Sequence, residues 1–253
     1  MKWDPDVYLR FADHRARPGV ELMSRIGVDE PTTVLDLGCG TGSLTRLLKI
    51  RWPGARVVGV DSSSDMLDRA RLDRSQPDDI EWIHADIRTW EPSFEVDVVF
   101  SNATLHWLDD HSALFPRIAS WTRRVLAVQM PANWGAPTHQ IPARILDEPG
   151  WPEEARSALM RDRVGPPESY REYLPGMRLD MWTTTYHQTL EGGDPVLTWV
   201  EGSVLRPVLD TLSEPHRTRF RERCAAEYRW AYPPLADGST VLAFSRFFVV
   251  AER

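Results

Sequence analysis

Val34-Leu35-Asp36-Leu37-Gly38-Cys39-Gly40-Thr41-Gly42 is the stretch on which the fold turns. Its first four residues are a short apolar run that breaks into glycine, the pattern of a buried strand entering a tight turn. Ser43 to Ile50 follows with Leu44, Leu47 and Leu48 at helical spacing. Glycine lets the backbone turn sharply and approach a ligand closely, while the N-terminus of the next helix points at it. The spacing is G-x-G-x-G. The third glycine of a dinucleotide turn would stand at Ser43, and the lysine and Ser/Thr of a phosphate-binding loop are missing. An isolated glycine turn is also compatible with a structural hairpin, so its surroundings decide.

On the C-terminal side, strands and helices alternate. Arg56 to Val60 reads as the second strand and Asp65 to Leu72 as a helix. Glu81 to Ala85 is the third strand, Val96 to Phe100 the fourth, Asp109 to Thr122 a helix and Val125 to Met130 the fifth strand. Such alternation implies a doubly wound, mostly parallel α/β sheet with helices on both faces. From Pro131 to Asp180 prolines and glycines interrupt short helical patches. Then Asp180 to Leu190 reads as a strand, Leu212 to Tyr228 as a helix with Ser213 at its N-cap, and Thr240 to Ala251 as a final strand. Before the first strand, Val7, Tyr8 and Phe11 share one helical face, and Pro18 opens a second helix through Val20, Leu22, Met23 and Ile26. We expect one domain over 1–253, with an N-terminal helical cap at 1–30 and a helical insertion at 132–180 forming a substrate lid.

Several strands end in a polar residue at the edge where open α/β sheets bind ligands. Asp61 closes the second strand, where a ribose is gripped; Asp86 follows the third and could accept from an adenine amino group; Asn102 follows the fourth. Singly, each could be a helix cap or turn residue. Together they point to a nucleoside.

Composition narrows the class. The chain has 253 residues, 42% hydrophobic and 26% charged, an ordinary globular balance. A net charge of −7 argues against a nucleic-acid binder that works by counterion release. Two cysteines make neither a disulfide framework nor a zinc site, and no metal is expected. No apolar run approaches the 20 or so residues that cross a bilayer, and Met1-Lys2-Trp3-Asp4-Pro5 begins no signal peptide. The reading is a cytoplasmic protein without membrane contact, its monomeric or homodimeric state left open. Of the 30 basic residues only Lys2 and Lys49 are lysine, a uniform bias that reads as codon usage rather than ligand chemistry.

The glycine turn with Asp61, Asp86 and Asn102 resembles the class I S-adenosylmethionine-dependent methyltransferases. That resemblance implies a seven-stranded sheet with an antiparallel last strand and S-adenosylmethionine as cofactor, leaving as S-adenosylhomocysteine. It places Asp36, Gly38, Gly40, Asp61, Ser62, Met66, Asp86, Ile87, Asn102 and Trp107 around the cofactor, with Arg17 meeting its methionine carboxylate. Within the class, the chain is similar to the trans-aconitate 2-methyltransferases. The similar blocks include Trp3-Asp4-Pro5-Asp6, Asn102-Ala103-x-Leu105-x-Trp107, Leu126-Ala127-Val128-Gln129-Met130-Pro131-x-Asn133-Trp134, Pro137-Thr138-His139, Trp182-x-Thr184-Thr185-Tyr186, Leu205-Arg206-Pro207 and Phe244-x-Arg246-x-Phe248. The chain departs from that pattern before the fifth strand, where Ser120 to Val125 runs on without a glycine turn, and at Leu174-Pro175-Gly176-Met177, which is trimmed.

The implied reaction esterifies one carboxylate of a tricarboxylate. A carboxylate is ionised at neutral pH, so no general base is required. The candidates are therefore anchors: His139, Arg206 and Arg246, with Tyr186, Asn133 and Trp134 as neutral donors, and Tyr8 in the N-terminal helices closing over the site. His106 and Trp107 would line the transfer site, whereas His111 and His187 read as packing or surface residues. Three other readings stay open. A hydroxyl or different acid could be the acceptor, with His106 or His139 as base. The fold could hold a nucleoside without catalysis, or bind a nicotinamide.

Overall fold

In the computed structural model, residues 16–73, 79–133, 135–159 and 163–253 are described. The element order is α1 (Arg17–Ser24), β1 (Thr33–Leu37), α2 (Ser43–Arg51), β2 (Arg56–Asp61), α3 (Ser64–Leu72), β3 (Ile80–His84) and β4 (Val96–Asn102). There follow a 3-10 turn (Leu105–Trp107), α4 (His111–Trp121), β5 (Thr122–Pro131), α5 (Pro137–Asp147), α6 (Glu153–Ala158) and α7 (Pro167–Tyr173). The chain ends with β6 (Arg178–Leu190), α8 (Pro195–Glu201), α9 (Arg206–Thr211), α10 (His216–Ala231) and β7 (Thr240–Glu252).

The seven strands lie in the order β3-β2-β1-β4-β5-β7-β6. The first five pair in parallel, and β7 runs antiparallel to β5. This is the expected doubly wound sheet. Every residue of β1 is buried, as are Val96 to Ser101 of β4, because a central parallel strand is covered on both faces. The order reverses between β1 and β4, so their carboxyl ends open the crevice where a ligand fits.

The chain divides into two compact units. The first comprises 1–131, 163–183 and 246–253; the second comprises 132–162 and 184–245. The second unit thus differs from the expected 132–180 insertion, since 163–183 returns to the first unit. Its core gathers Ile141, Ile145, Val200, Val208, Phe220 and Tyr228. Among the described residues, no helix is long and apolar enough to cross a membrane.

Two local readings are corrected. Helix α10 begins at His216, not Leu212, and Ser213 is not its N-cap. Pro215 lacks an N–H, and Glu214 takes over the capping, its carboxylate accepting from the Thr218 amide and hydroxyl. Before β5 the absent glycine turn is explained by Arg253. Its guanidinium donates to the Ala119 and Thr122 carbonyls at 2.9 and 2.7 Å, closing the C-terminus of α4 from outside the helix. The first N-terminal helix lies outside the described residues.

Candidate active site

The glycine turn hangs on the end of β2. The Gly38 and Cys39 amides donate to the Val60 carbonyl, and the Gly40 amide donates to Asp61 Oδ2 at 2.8 Å. Asp61 Oδ1 accepts from the Ser63 amide at 2.9 Å. Two backbone donors therefore orient the Asp61 carboxylate, and its remaining lone pairs stay usable by a ligand. Gly38, Gly40 and Gly42 all have left-handed φ, +73°, +55° and +78°. Their surroundings differ. A Cβ at Gly38 would lie 2.1 Å from the Thr104 side chain and one at Gly42 2.3 Å from Trp82, whereas one at Gly40 meets nothing within 4 Å among the described residues. Gly38 and Gly42 are close-packed; Gly40 presents bare backbone that no described residue covers, as a turn cradling a ligand requires.

Asp36 sits beneath this turn, 2% exposed, with Oδ2 accepting from the Thr45 hydroxyl at 2.6 Å. Burial pushes its carboxyl up to about 7, against the Thr45 bond and reinforced by nearby Asp61. The contact fastens the end of β1 to the first turn of α2, so Asp36 shapes the turn from below. Cys39 is buried within the turn, and its thiol is pushed up by burial and then by Asp36 and Asp61, which leaves it unreactive.

Around the crevice end of the sheet, Ser62 is exposed, Met66 is 40% exposed and Ile87 is buried. Asp86 is held by Arg88, whose guanidinium grips both carboxylate oxygens and keeps the acid below its ordinary range. Arg17 is exposed at the start of α1. Trp107 is 48% exposed and its ring lies 5.0 Å from that of buried His106. All of the residues expected around the nucleoside lie in the first unit.

The second unit holds most of the expected anchors. His139 is in the first turn of α5, with Nδ1 3.1 Å from the Thr138 hydroxyl. Burial pulls its pKa down to about 4, so the imidazole is neutral at pH 7. It is therefore a neutral hydrogen-bond donor rather than a cation. Asn133 is buried and its Oδ1 accepts from the Ser245 amide at 2.5 Å. Tyr186 is buried on β6. Arg206 opens α9 with an exposed side chain 3.8 Å from Asp210. Arg246 belongs to the first unit, where it pairs across β7 and β5 with Pro131. Tyr8 and Trp134 lie outside the described residues.

Three positions escaped the sequence reading. Arg88 had no signal beyond its place two residues after Asp86. His111, read as packing, is a directed link: its Nε2 donates to the Leu105 carbonyl at 3.0 Å, and Nδ1 accepts from the Tyr170 hydroxyl at 2.9 Å. It holds the 3-10 turn that carries His106 and Trp107. Gln129, quoted only within a family-like block, is 1% exposed on β5 beside Asn102. His187 is exposed, as expected.

Residues 34–125 match the methyltransferase domain family. The chain is 42% identical over 257 residues to trans-aconitate 2-methyltransferase of Azoarcus sp. (strain BH72), covering 99% of each chain. It is 44% identical over 265 residues to trans-aconitate 2-methyltransferase of Mycobacterium tuberculosis (strain ATCC 25177 / H37Ra), covering 99% of this chain and 96% of that one. Among solved structures, an S-adenosylmethionine dependent methyltransferase from Mesorhizobium loti superposes with a TM-score of 0.52 at 19% identity, over 94% of this chain and 98% of that one.

Proposed function

The chain belongs to the trans-aconitate 2-methyltransferase family, and on that premise we propose that it methylates a carboxylate of trans-aconitate with S-adenosylmethionine, releasing the monomethyl ester and S-adenosylhomocysteine. The observation that carries this is the open face of Gly40 beside an oriented Asp61, in a chain alike over its whole length to enzymes of that name. When bound, S-adenosylmethionine supplies an electrophilic methyl on a sulfonium. Gly38 and Gly40 offer backbone to it, Asp61 with Ser62 takes the ribose, Asp86 the adenine amino group, Met66 and Ile87 the ring faces, and Arg17 and Asn102 the amino-acid end.

The acceptor carboxylate is already ionised, so the chain's task is to orient it and exclude water rather than remove a proton. His139 suits that task. A general base works best with a pKa near the operating pH, and a group near 4 is too weak a base at neutrality. A neutral imidazole can still donate one hydrogen bond to a carboxylate. Tyr186 and Asn133 are assigned as neutral contacts and Arg206 and Arg246 as cationic ones, with Tyr8 and Trp134 completing the set. We place the enzyme in the cytoplasm, with a small tricarboxylate rather than a macromolecule as partner.

The test is transfer of label from S-adenosylmethionine to trans-aconitate, cis-aconitate, citrate and isocitrate in parallel, the esters resolved by chromatography. The expected result is a single monomethyl ester, formed at least about tenfold faster from trans-aconitate, the size of discrimination that one buried polar contact supplies. No labelled ester from any of the four acids, with S-adenosylmethionine still bound, would sink the acceptor assignment and leave the cofactor site standing.

A further inference from the structure

At the crevice end of the sheet two neighbouring carboxamides carry buried polar atoms that find no partner among the described residues. Asn102 on β4 and Gln129 on β5 are register partners. Among the described residues, both the Oε1 and Nε2 of Gln129 are buried with no hydrogen-bond partner, and so is Oδ1 of Asn102. Gln129 is 1% exposed. Buried polar atoms in folded proteins are nearly always paired, and one left unpaired opposes folding, so three of them side by side need a reason. Residues directly opposite on paired strands project to the same face, and alternate residues along a strand share it. Gln129 therefore shares its face with Asn102, with Phe248 opposite on β7, and with Arg246, which pairs with Pro131 two residues on. Phe248 stacks on Trp182 at 4.6 Å, giving that face an apolar floor beside the polar groups.

We infer that Gln129 is a binding residue for a ligand carboxylate, its Nε2 donating to one oxygen while the Arg246 guanidinium on the same face supplies the positive charge. This rests on the methyltransferase reading above, and two carboxylates qualify by chemistry: one from the tricarboxylate acceptor, or the amino-acid carboxylate of the cofactor. Gln129 stands at the carboxyl end of its strand, where ligands of open α/β sheets lie. A residue kept for structure would have its amide satisfied within the fold.

The experiment compares Gln129→Leu and Gln129→Glu with the wild type in three measurements: melting temperature without ligand, the Kd for S-adenosylhomocysteine by calorimetry, and KM for trans-aconitate at saturating S-adenosylmethionine. Leucine removes the unpaired amide while keeping most of its volume, so Gln129→Leu should melt about 3 °C higher. Its KM or its Kd should rise about tenfold. Gln129→Glu sets like charges together and should lose at least as much in the same measurement. A rise confined to KM assigns the acceptor's carboxylate; one confined to Kd assigns the cofactor's. Both constants unchanged, or a Gln129→Leu protein that unfolds or melts lower, overturns the inference. Should the wild type itself leave trans-aconitate unmethylated, the acceptor assignment fails on its own, while Kd and melting temperature still decide for Gln129.

Discussion

A methyl group added at Gly38 and one added at Gly40 meet different surroundings, and the difference separates folding from binding at a single turn. Gly38→Ala drives its Cβ into Thr104 and forces a left-handed residue, so it should cost roughly 3 kcal/mol in denaturant unfolding. Gly40→Ala has room, so only the backbone preference of about 1–2 kcal/mol opposes it. Yet it fills the open face of the turn, and affinity for S-adenosylhomocysteine should fall about tenfold or more. Equal loss of binding and stability in both variants would contradict this division. Asp36 yields a second test, through pH. Its folded pKa, about 7, lies above the unfolded value near 3.8, so across that window the native state holds the proton that the unfolded state releases. Stability should fall as pH rises from about 4 to about 7, then level off. Asp36→Asn keeps an acceptor for Thr45 and removes the ionisation. Relative to it, the wild type should lose roughly 3 kcal/mol between pH 5 and pH 8, read from unfolding curves of both proteins. Parallel pH dependences would refute the assignment.

At the scale of elements, the turn is fixed by a buried cation that composition conceals. Arg46 of α2 is 6% exposed and donates to the Thr41 carbonyl at 3.1 Å, to the Asp73 carbonyl at 2.7 Å and to the Ala70 carbonyl, tying the glycine turn to the end of α3. Its guanidinium stands 5.6 Å from the Trp82 ring centre, and that ring also crowds Gly42 and Gly59. Arg46→Met leaves those carbonyls without the donor and should cost about 2–4 kcal/mol, with weaker S-adenosylhomocysteine binding because Thr41 is loosened. Trp82→Phe, which keeps a ring, should retain most of both; unchanged stability in Arg46→Met would refute the role. In a chain so rich in arginine, no local pattern marks Arg46 as the buried one. The strands were legible because buried parallel strands are short apolar runs between breakers, and the polar residues ending them follow from topology. What stayed hidden is what depends on distant partners. Tyr170 reaches His111 from 59 residues away, and Arg253 closes α4 from the last residue. The return of 163–183 to the first unit is equally invisible to periodicity. Gln129 could be quoted but not understood, because its meaning lies in a carboxamide that finds no partner among the described residues.

For the molecule as a whole, the question is how a chain of net charge −7 handles an anionic acceptor across the physiological pH range. Beyond about 8 Å, charges are screened at physiological salt, so the groups lining the site outweigh the total. An acceptor carboxylate is ionised above about pH 5. His139, near 4, is neutral over the same interval and does not titrate with turnover. Neither changes state between pH 6 and pH 9, so kcat with trans-aconitate should vary by less than about twofold there in Asp36→Asn, which removes the carboxyl under the glycine turn whose pKa, about 7, falls inside that window. A hydroxyl acceptor would need a base, and its rate would climb through a histidine pKa. The comparison is made with saturating S-adenosylmethionine at fixed ionic strength, which keeps screening constant along the profile. A tenfold rise between pH 6 and pH 8 would mean that a proton is removed during transfer, and the acceptor would then have to be sought among hydroxyl compounds. A flat profile in Gln129→Glu, at a raised KM, would place the introduced charge on the acceptor's carboxylate without altering the chemistry.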